Sequence, residues 1–310
     1  MESSRVLQPE GVPGFQRESA VEAPPERRSA TAEESTTVGA PTAWDRVELA
    51  RHKDRPRMLD YVSRMFDDFF ELHGDRLVGD DSAIIGGLAR FRDRTVVVVG
   101  QQKGVSTEDK VRRNFGMARP NGYRKALRLF EMAERLQIPI VTLVDTPAAD
   151  PHPDSERGGQ GRAIAQNILR MLSIKTPIFS AVLGEGGSGG ALGIAVADEI
   201  VMLENSIYVV CPPERCAEIL WKDIDRRELA ATAMNVTADD LLRLGVVDSV
   251  VAEPGGGAHL DPDSAADNLS QALEKFLGSN SEGPHSPAAR QQRFRSIGQW
   301  HDEAAQSVST

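Results

Sequence analysis

The chain has 310 residues, a formal net charge of −10 and 40% hydrophobic residues, which allows one large domain or two small ones. It has no run of about 18 apolar residues and no signal-like N-terminus, so we expect no transmembrane helix and a cytoplasmic location. The acidic charge disfavours general nucleic-acid binding. The two cysteines, Cys211 and Cys216, are too few for a four-ligand zinc site, so we expect no metal in this chain.

Two polar segments flank the patterned part of the sequence. Residues 1–41 are rich in Ser, Thr, Pro, Ala and Glu and lack periodic apolar positions, which predicts a disordered N-terminal tail. Residues 278–310 contain several glycine and proline breakers and predict a disordered C-terminal tail. We therefore expect one folded domain over residues 42–277.

Within residues 42–277, apolar runs typical of buried strands alternate with segments of helical periodicity. Residues 59–72 place five apolar side chains on one helical face and predict the first helix. The elements that follow are predicted as strands 83–88 and 95–99, helix 122–136, strand 138–144, helix 162–172, strand 177–183, helix 189–196, strands 199–203 and 207–210, helix 214–222 after an N1 proline at Pro212, helix 238–244 between the N-cap Thr237 and the C′ residue Gly245, strand 246–251 and helix 264–277. This alternation predicts an α/β fold with mostly parallel pairing.

The segment GEGGSGGAL at residues 184–192 joins a predicted buried strand to a predicted helix of small residues. Glycines are useful where the backbone must approach a ligand or another helix closely. The N–H groups at the start of a helix have no partner within the helix, so this segment is a candidate oxyanion hole that needs no side-chain chemistry. Close packing of the helix against the sheet is a structural explanation that is compatible with this function.

Two other functions fit the same glycine-rich segment. The glycines of residues 184–189 match a dinucleotide-binding fingerprint, and Glu204 has the spacing of its acidic residue, although the match lies late in the chain. Ser188 between glycines matches a nucleophile elbow, for which Asp248 and His259 would complete a triad in the required order. The residues of this segment alone leave all three interpretations open.

Basic residues are concentrated in residues 103–128, in contrast to the acidic charge of the whole chain. One interpretation is a solvated surface. The other is a site for an anionic ligand such as a nucleotide-phosphate tail, for which Lys103, Arg124 and Lys125 are the candidate contacts.

Long stretches of the sequence resemble the alpha subunit of the bacterial acetyl-coenzyme A carboxylase carboxyltransferase. The resemblance covers about residues 44–275 without evident gaps. The stretches that carry it are RPRMLDYV (55–62), GDR (74–76), DDSAIIGGLAR (80–90), GQQKG (100–104), VRRNFGMARPNGYRKALRLFEMAERLQIPIVTLVDTP (111–147), GEGGSGGALGIAVAD (184–198), CPPERCAEILWK (211–222) and GGAH (256–259).

The resemblance implies a crotonase/ClpP-like fold of repeated ββα units with mostly parallel sheets. It implies an α2β2 heterotetramer with a carboxyltransferase beta subunit, which would carry a zinc ribbon and much of the coenzyme A site. A biotin carboxyl carrier protein and a biotin carboxylase would complete the complex. Carboxybiotin on the carrier and acetyl-coenzyme A would be the substrates and malonyl-coenzyme A the product.

The resemblance also assigns residues to the biotin side of the active site. By position, the N–H groups of Gly189 and Gly190 would stabilise the ureido oxyanion of biotin. The residues expected to bind the substrate beside them are Gly186, Gly187, Thr146, Pro147 and Ala148.

One loop departs from the family pattern. In residues 148–158, Ala148, Asp150, His152 and Asp154 stand where the family has glycines and a tyrosine. The loop follows the end of a predicted strand, where active sites of α/β proteins lie. One alternative is therefore a paralogue with an altered substrate or without catalysis that assembles with a beta subunit. A separate alternative is a crotonase-fold hydrolase that uses Ser188.

Overall fold

The computed structural model describes residues 41–279 and 286–298. In these two ranges, the α-helices are α1 (Ala43–Ala50), α2 (Met58–Met65), α3 (Thr107–Arg112), α4 (Pro120–Leu136), α5 (Pro153–Arg157), α6 (Gln160–Met171), α7 (Ser188–Ala195), α8 (Pro213–Trp221), α9 (Arg227–Ala233), α10 (Ala238–Arg243), α11 (Pro262–Ser279) and α12 (Pro287–Ser296). The strands are β1 (Asp67–Glu71), β2 (Ile84–Phe91), β3 (Arg94–Gln101), β4 (Ile140–Thr146), β5 (Ile178–Gly187), β6 (Glu199–Leu203), β7 (Ile207–Val209) and β8 (Ser249–Val251).

The described strands form one sheet in the order β1-β2-β3-β4-β5-β6-β8, and β7 also pairs with β5. The β1–β2 and β2–β3 pairs are antiparallel, whereas all pairs from β3 onward are parallel. The long strand β5 pairs with β6 through Phe179–Val182 and with β7 through Glu185–Gly187. The predicted α/β fold with mostly parallel pairing is confirmed, and β7 supports the part of β5 that leads into α7.

Helices cover both faces of the sheet. Val97 and Val99 of β3 face a core built with α4, α6 and α7, and Val96 and Val98 face the opposite core with α2 and α11. Strands buried on both faces lose the alternation of polar and apolar residues, which explains the continuous run TVVVV. Full burial of each such side chain contributes about 1.5–3 kcal/mol.

The predicted helix over residues 59–72 is wrong in its second half. Helix α2 ends at Met65, and Asp67–Glu71 form the edge strand β1, which pairs with β2. The spacing of the phenylalanines in this segment fits either a helix or a strand. The segment forms a strand because β2 is available to pair with it. Gly87 of β2 permits this pairing, because a Cβ atom there would lie 2.0 Å from the carbonyl oxygen of Phe70.

The helix caps predicted around α10 are confirmed. The hydroxyl of Thr237 accepts a hydrogen bond from the N–H of Asp240 at 3.2 Å, and Gly245 has φ +69°. Pro212 is the N-cap of α8 and Pro213 takes the N1 position, one residue later than predicted. The predicted N-terminal tail, apart from Pro41, lies outside the described residues, as do residues 280–285 and 299–310.

The prediction of a disordered C-terminal tail is wrong for Pro287–Ser296, which form α12. The side chain of Arg290 is fully buried, and its guanidinium donates to the Asp198 carboxylate at 2.6 and 2.8 Å. It also donates to the carbonyl oxygens of Met171 and Ile174. Arg290 therefore anchors a polar helix whose composition does not predict burial, and Arg293 adds an ion pair with Asp248 at 2.7 Å.

Candidate functional site

The carboxyl ends of β3, β4 and β5 meet at one edge of the sheet, as parallel neighbours must. Gln101 ends β3, Thr146 ends β4 and Gly187 ends β5. Helix α7 begins at Ser188, directly after β5. Ligand sites of α/β proteins lie at such edges, and here the edge carries the start of a helix, where N–H donors lack helical partners.

Gly190 lies in the first turn of α7 and is enclosed by protein. A Cβ atom at this position would lie 2.4 Å from the backbone nitrogen of Ala149 and 2.5 Å from the carbonyl carbon of Ala148. The loop after β4 therefore packs directly on the first turn of α7. Any larger residue at 190 would displace that loop.

Gly189 has a different environment. A Cβ atom there would meet only Ile164, at 3.9 Å, which is an ordinary van der Waals contact. Gly189 is half-buried, whereas Gly190 is buried. Packing within the chain explains the glycine at 190 but not the glycine at 189.

The other predicted biotin-side residues gather around the same turn. A Cβ atom on Gly187 would lie 2.0 Å from the carbonyl oxygen of Pro147, and one on Gly186 would lie 2.7 Å from the ring of Tyr208. The hydroxyl of Thr146 donates to the carbonyl oxygen of Ala148 at 2.6 Å and fixes the loop. The structure thus brings together the residues that the resemblance selected for this side of the site.

Two buried side chains that the sequence analysis missed, Gln101 and Tyr123, contact the backbone of Gly190. Its carbonyl oxygen accepts hydrogen bonds from Gln101 Nε2 at 2.8 Å and from the Tyr123 hydroxyl at 3.0 Å. Gln101 Oε1 in turn accepts from the N–H of Asp145 at 3.1 Å. Both side chains are fully buried. A polar glutamine at the end of an apolar strand was the signal in the sequence that could have indicated this role, because a buried polar side chain needs hydrogen-bond partners.

Lys103 lies at the same edge, but carboxylates already surround it. Its ammonium lies 2.8 Å from Asp145 Oδ1 and 2.7 Å from Glu185 Oε2. Arg51 also pairs with Glu185 at 2.7 Å, and its other arm pairs with Glu214 at 2.5 Å. The resulting network ties the ends of β3, β4 and β5 to α1 and α8.

The charges of this network shift one another's titration. Burial alone would raise the pKa of Glu185, but the nearby Lys103 and Arg51 lower it below its usual range. Burial alone would lower the pKa of Lys103, but Asp145 and Glu185 raise it. Both groups are therefore charged near neutral pH, and Lys103 is engaged by its own chain.

The other two predicted anion contacts lie elsewhere. The side chain of Lys125 is fully buried, and its ammonium contacts Asp80 at 2.5 Å. The predicted contact of Lys125 with an anionic ligand is therefore wrong, because the side chain has no accessible surface. Arg124 pairs with the buried Asp75 carboxylate at 2.8 Å, so it does not join Lys103 either.

The nucleophile elbow is not supported by the positions of Ser188 and Asp248. Ser188 follows the carboxyl end of β5, whereas Asp248 accepts from the N–H of Ile200 near the start of β6. Ile200 pairs with Ser180 on β5, seven residues before Gly187, which corresponds to about 23 Å along the strand. Asp248 therefore lies at the opposite edge of the sheet from Ser188.

The dinucleotide fingerprint is not supported either. The glycine at 186 accommodates the ring of Tyr208 from β7, which pairs with β5 where a pyrophosphate would have to approach. Glu204 pairs with Arg46 at 3.3 Å and accepts from the N–H of Glu253 at 3.1 Å. The acidic residue that would hold a ribose is thus engaged within the chain.

The divergent loop at 148–158 has its own internal contacts. Asp150 is buried, and its carboxylate accepts from the Ser155 hydroxyl at 2.6 Å. The N–H of Asp150 donates to the carbonyl oxygen of Ala118 at 3.0 Å, just before α4. His152 caps α5 by accepting from the N–H of Asp154 at 3.3 Å. The residues that depart from the family pattern therefore build an ordered turn.

Solved structures with similar folds are carboxyl-transferring or decarboxylating proteins. A transcarboxylase 12S with methylmalonyl-coenzyme A and methylmalonic acid bound superimposes with TM-score 0.57 at 21% identity, over 71% of this chain and 41% of that chain. A Pseudomonas malonate decarboxylase hetero-tetramer in complex with coenzyme A gives TM-score 0.58 at 15% identity, over 74% of this chain and 90% of that one. The shared architecture is the crotonase-like fold.

Sequence comparison identifies the family. The model of the acetyl co-enzyme A carboxylase carboxyltransferase-like family matches residues 17–298, so the chain belongs to that family. An acetyl-coenzyme A carboxylase carboxyl transferase subunit alpha from Halorhodospira halophila is 52% identical over 83% of this chain and 82% of the relative. The subunit of the same name from Geobacter metallireducens is 55% identical over 76% of this chain and 74% of the relative.

Residues 41–279 and 286–298 contain neither a candidate membrane span nor a candidate metal site. None of their helices is both long and apolar enough to cross a bilayer. No group of three or more His, Cys, Asp or Glu side chains in these residues has the spacing to hold a metal ion.

Proposed function

We propose that this chain is the alpha subunit of an acetyl-coenzyme A carboxylase carboxyltransferase and binds the biotin side of the reaction. The observation that carries the proposal is the start of α7. Packing within the chain requires a glycine at position 190, whereas no contact within the chain requires one at position 189. A ligand that must approach the N–H groups closely supplies the reason for that glycine. The family membership and the highly similar alpha subunits support the same conclusion.

The start of α7 suits the charge that develops in the reaction. Carboxybiotin on a carrier protein is a substrate, and release of its carboxyl group as carbon dioxide leaves negative charge on the ureido oxygen. The N–H groups of Gly189 and Gly190 would donate to that oxygen, aided by the positive end of the helix dipole. A single donor of this kind typically contributes about 3 kcal/mol to the transition state. Gln101 and Tyr123 would keep the turn oriented.

The remaining chemistry requires a partner. The biotin anion takes the α-proton of acetyl-coenzyme A, and the resulting enolate attacks carbon dioxide to give malonyl-coenzyme A. We propose that a carboxyltransferase beta subunit, carrying a zinc ribbon, holds that enolate in an α2β2 assembly. A biotin carboxyl carrier protein and a biotin carboxylase would supply carboxybiotin. Thr146, Pro147 and Ala148 would position the biotin ring, because the Thr146 hydroxyl and Gly187 fix their loop against α7.

The test is reconstitution of carboxyl transfer. The chain, co-expressed with its cognate beta subunit and supplied with carboxylated carrier protein, should convert acetyl-coenzyme A to malonyl-coenzyme A. Chain without beta subunit is the control and should give no product. A correctly assembled complex that carboxylates none of the short acyl-coenzyme A thioesters would contradict the proposal.

A second candidate is transfer to a different acyl thioester, or assembly without transfer. The ordered loop around Asp150 favours it, because this loop packs on the first turn of α7. Substitution of Asp150 would remove a buried contact, so Ala148→Gly is the cleaner change toward the family pattern. If the loop selects the substrate, the native complex should prefer a thioester other than acetyl, and Ala148→Gly should shift the preference toward acetyl. Native activity that is highest with acetyl-coenzyme A would exclude this candidate.

A further inference from the structure

The two cysteines of the chain meet at the start of α8. Cys211 directly precedes Pro212, the N-cap of α8, and Cys216 is the fourth residue of the helix. Side chains at these two positions pack against each other and fix how a chain enters a helix. The N–H of Cys216 donates to the carbonyl oxygen of Pro212 at 3.0 Å, which closes the turn between the two cysteines.

The environment of the two thiols permits oxidation. Both cysteines are free and only half-buried, so a small oxidant can reach them. The pKa of the Cys211 thiol is raised, first by burial and then by the adjacent Cys216 thiol. Since the thiolate is the form that attacks an oxidant, Cys211 is suited to the second step of an oxidation, in which a thiol attacks a neighbouring sulfur that is already oxidised.

The segment that the two cysteines bracket, CPPERC, is tied to strand β5 on two sides. Before the segment, Val209 at the end of β7 pairs with Gly187, the last residue of β5. Within the segment, Glu214 pairs with Arg51 at 2.5 Å. Arg51 in turn pairs with Glu185 of β5 at 2.7 Å. A movement of this segment is therefore transmitted to the strand that leads directly into α7.

The end of β5 has little room to absorb such a movement. A Cβ atom on Gly187 would lie 2.0 Å from the carbonyl oxygen of Pro147, so the strand and the loop after β4 are in close contact there. Two sulfur atoms joined by a bond lie much closer together than two thiols in contact, so bond formation draws Cys211 and Cys216 together. A misplacement of about 1 Å at a catalytic position can lower a rate about 100-fold.

We propose that a peroxide oxidises Cys211 and Cys216 to a reversible disulfide, and that this disulfide slows carboxyl transfer by displacing the end of β5. The Cys216 sulfur attacks one peroxide oxygen and the O–O bond breaks; with hydrogen peroxide, water leaves and a sulfenic acid remains. The Cys211 sulfur then attacks the sulfenic sulfur, the S–O bond breaks, and its oxygen leaves as a second water. Two electrons pass from the sulfurs to the peroxide, and a dithiol reductant returns them. The effect on transfer rests on the proposed function, whereas the thiol chemistry does not.

The direct test is treatment of the full, folded chain with equimolar hydrogen peroxide, followed by thiol titration and intact-mass measurement. Because Cys211 and Cys216 are the only cysteines of the chain, the thiol count reports on this pair alone. Both thiols should disappear together, the mass should fall by two hydrogen atoms, and dithiothreitol should restore both values. A treated chain that keeps both thiols, or that forms disulfides only between two chains, would overturn the proposal.

Two matched variants assign the steps, since serine keeps the size of each side chain. Cys211→Ser removes the second thiol, so oxidation should stop at a sulfenic acid on Cys216, which dimedone traps as an adduct detected by mass. Cys216→Ser should react with peroxide at least about tenfold more slowly than Cys211→Ser, because only the thiol with the raised pKa remains. Equal rates in the two variants would overturn the assigned order.

Kinetics of the complete complex separate this proposal from the proposed function. The chain is oxidised alone, freed of peroxide and assembled with untreated beta subunit, so that cysteines of the partner stay reduced. The kcat for carboxyl transfer should fall at least about tenfold and recover with dithiothreitol, whereas the double variant Cys211→Ser/Cys216→Ser should be unaffected by the same treatment. An unchanged kcat of the disulfide-bonded chain would overturn the coupling to β5 and leave the proposed function standing. No transfer by the reduced native chain would overturn the proposed function and leave the thiol chemistry standing.

Discussion

The substitution Gly189→Ala separates a glycine needed by the fold from one needed by a ligand. In the structure, the new Cβ atom would contact only Ile164, at 3.9 Å. Glycine within a helix is less favourable than alanine by roughly 0.5–1 kcal/mol, so the free energy of unfolding should stay the same or rise slightly. The same change at Gly190 places Cβ 2.4 Å from Ala149 N and should reduce stability by about 1–3 kcal/mol through overpacking.

Carboxyl transfer should respond differently from stability. A Cβ atom on a helix tilts toward the N-terminus, so the methyl of Gly189→Ala points to the side from which an oxyanion would approach. We expect at least a tenfold loss of kcat/KM for the carboxylated carrier, against the roughly 10²–10³-fold loss known for removal of a whole donor. Gly190→Ala should lose both activity and stability and therefore cannot distinguish donation from packing.

Two measurements on the same protein preparation decide the outcome. Denaturant unfolding reports stability, and malonyl-coenzyme A formation by the reconstituted complex reports transfer. A Gly189→Ala variant with native stability and native transfer rate would refute the reasoning, because no substrate would then approach the start of α7.

Three further predictions test the supports of this site and the C-terminal helix. Tyr123→Phe removes one hydrogen-bond donor to the Gly190 carbonyl oxygen, and it should reduce stability by about 1 kcal/mol and lower kcat at unchanged KM. The matched control is Tyr61→Phe, because the Tyr61 hydroxyl has no hydrogen-bond partner among the described residues. Equal effects in the two variants would contradict the prediction. Lys103→Met leaves Asp145 and Glu185 without their shared cation and should reduce the free energy of unfolding by about 3–5 kcal/mol near neutral pH. Because the pKa of Glu185 is lowered from 4.5 in the folded state, the stability that its ion pairs contribute is present above that pH and is lost as pH falls. Unfolding curves should therefore show that the stability difference between the native chain and Lys103→Met shrinks below about pH 4.5. A stability difference that does not depend on pH would contradict the ionic explanation. Arg290→Leu removes the guanidinium that pairs with Asp198 and donates to several carbonyl oxygens, and it should reduce stability by about 3–5 kcal/mol. The exposed Arg295→Ala should change stability by less than about 0.5 kcal/mol in the same assay, and equal effects would show that Arg290 does not anchor α12.

The sequence predicted the parallel strands and the position of α7 because both depend on local patterns. A run such as TVVVV indicates burial on two faces, and the glycines after β5 indicate a close approach by some other group. Neither pattern identifies that group. The family resemblance selected an oxyanion hole, and the position of Asp248 at the far edge of the sheet removed the triad alternative.

The parts that the sequence did not predict depend on partners distant in the chain. Lys103 and Lys125 are lysines of one basic segment, yet one lies at the site edge between two carboxylates and the other is buried against Asp80. Gln101 acquires its role only because Gly190, 89 residues later, lies within hydrogen-bond distance. Arg290 is likewise buried because Asp198 faces it across 92 residues. Composition and periodicity contain no information on such pairings.

The central claim is that Gly189 and Gly190 present their N–H groups to the ureido oxygen of biotin. A crystal structure of the alpha–beta complex with biotinylated carrier protein bound tests it most directly. The account predicts the ureido oxygen within about 2.7–3.1 Å of both backbone nitrogens, the distance required of oxyanion-hole donors. A biotin ring seated elsewhere on the complex, with neither nitrogen in reach of that oxygen, would contradict the account.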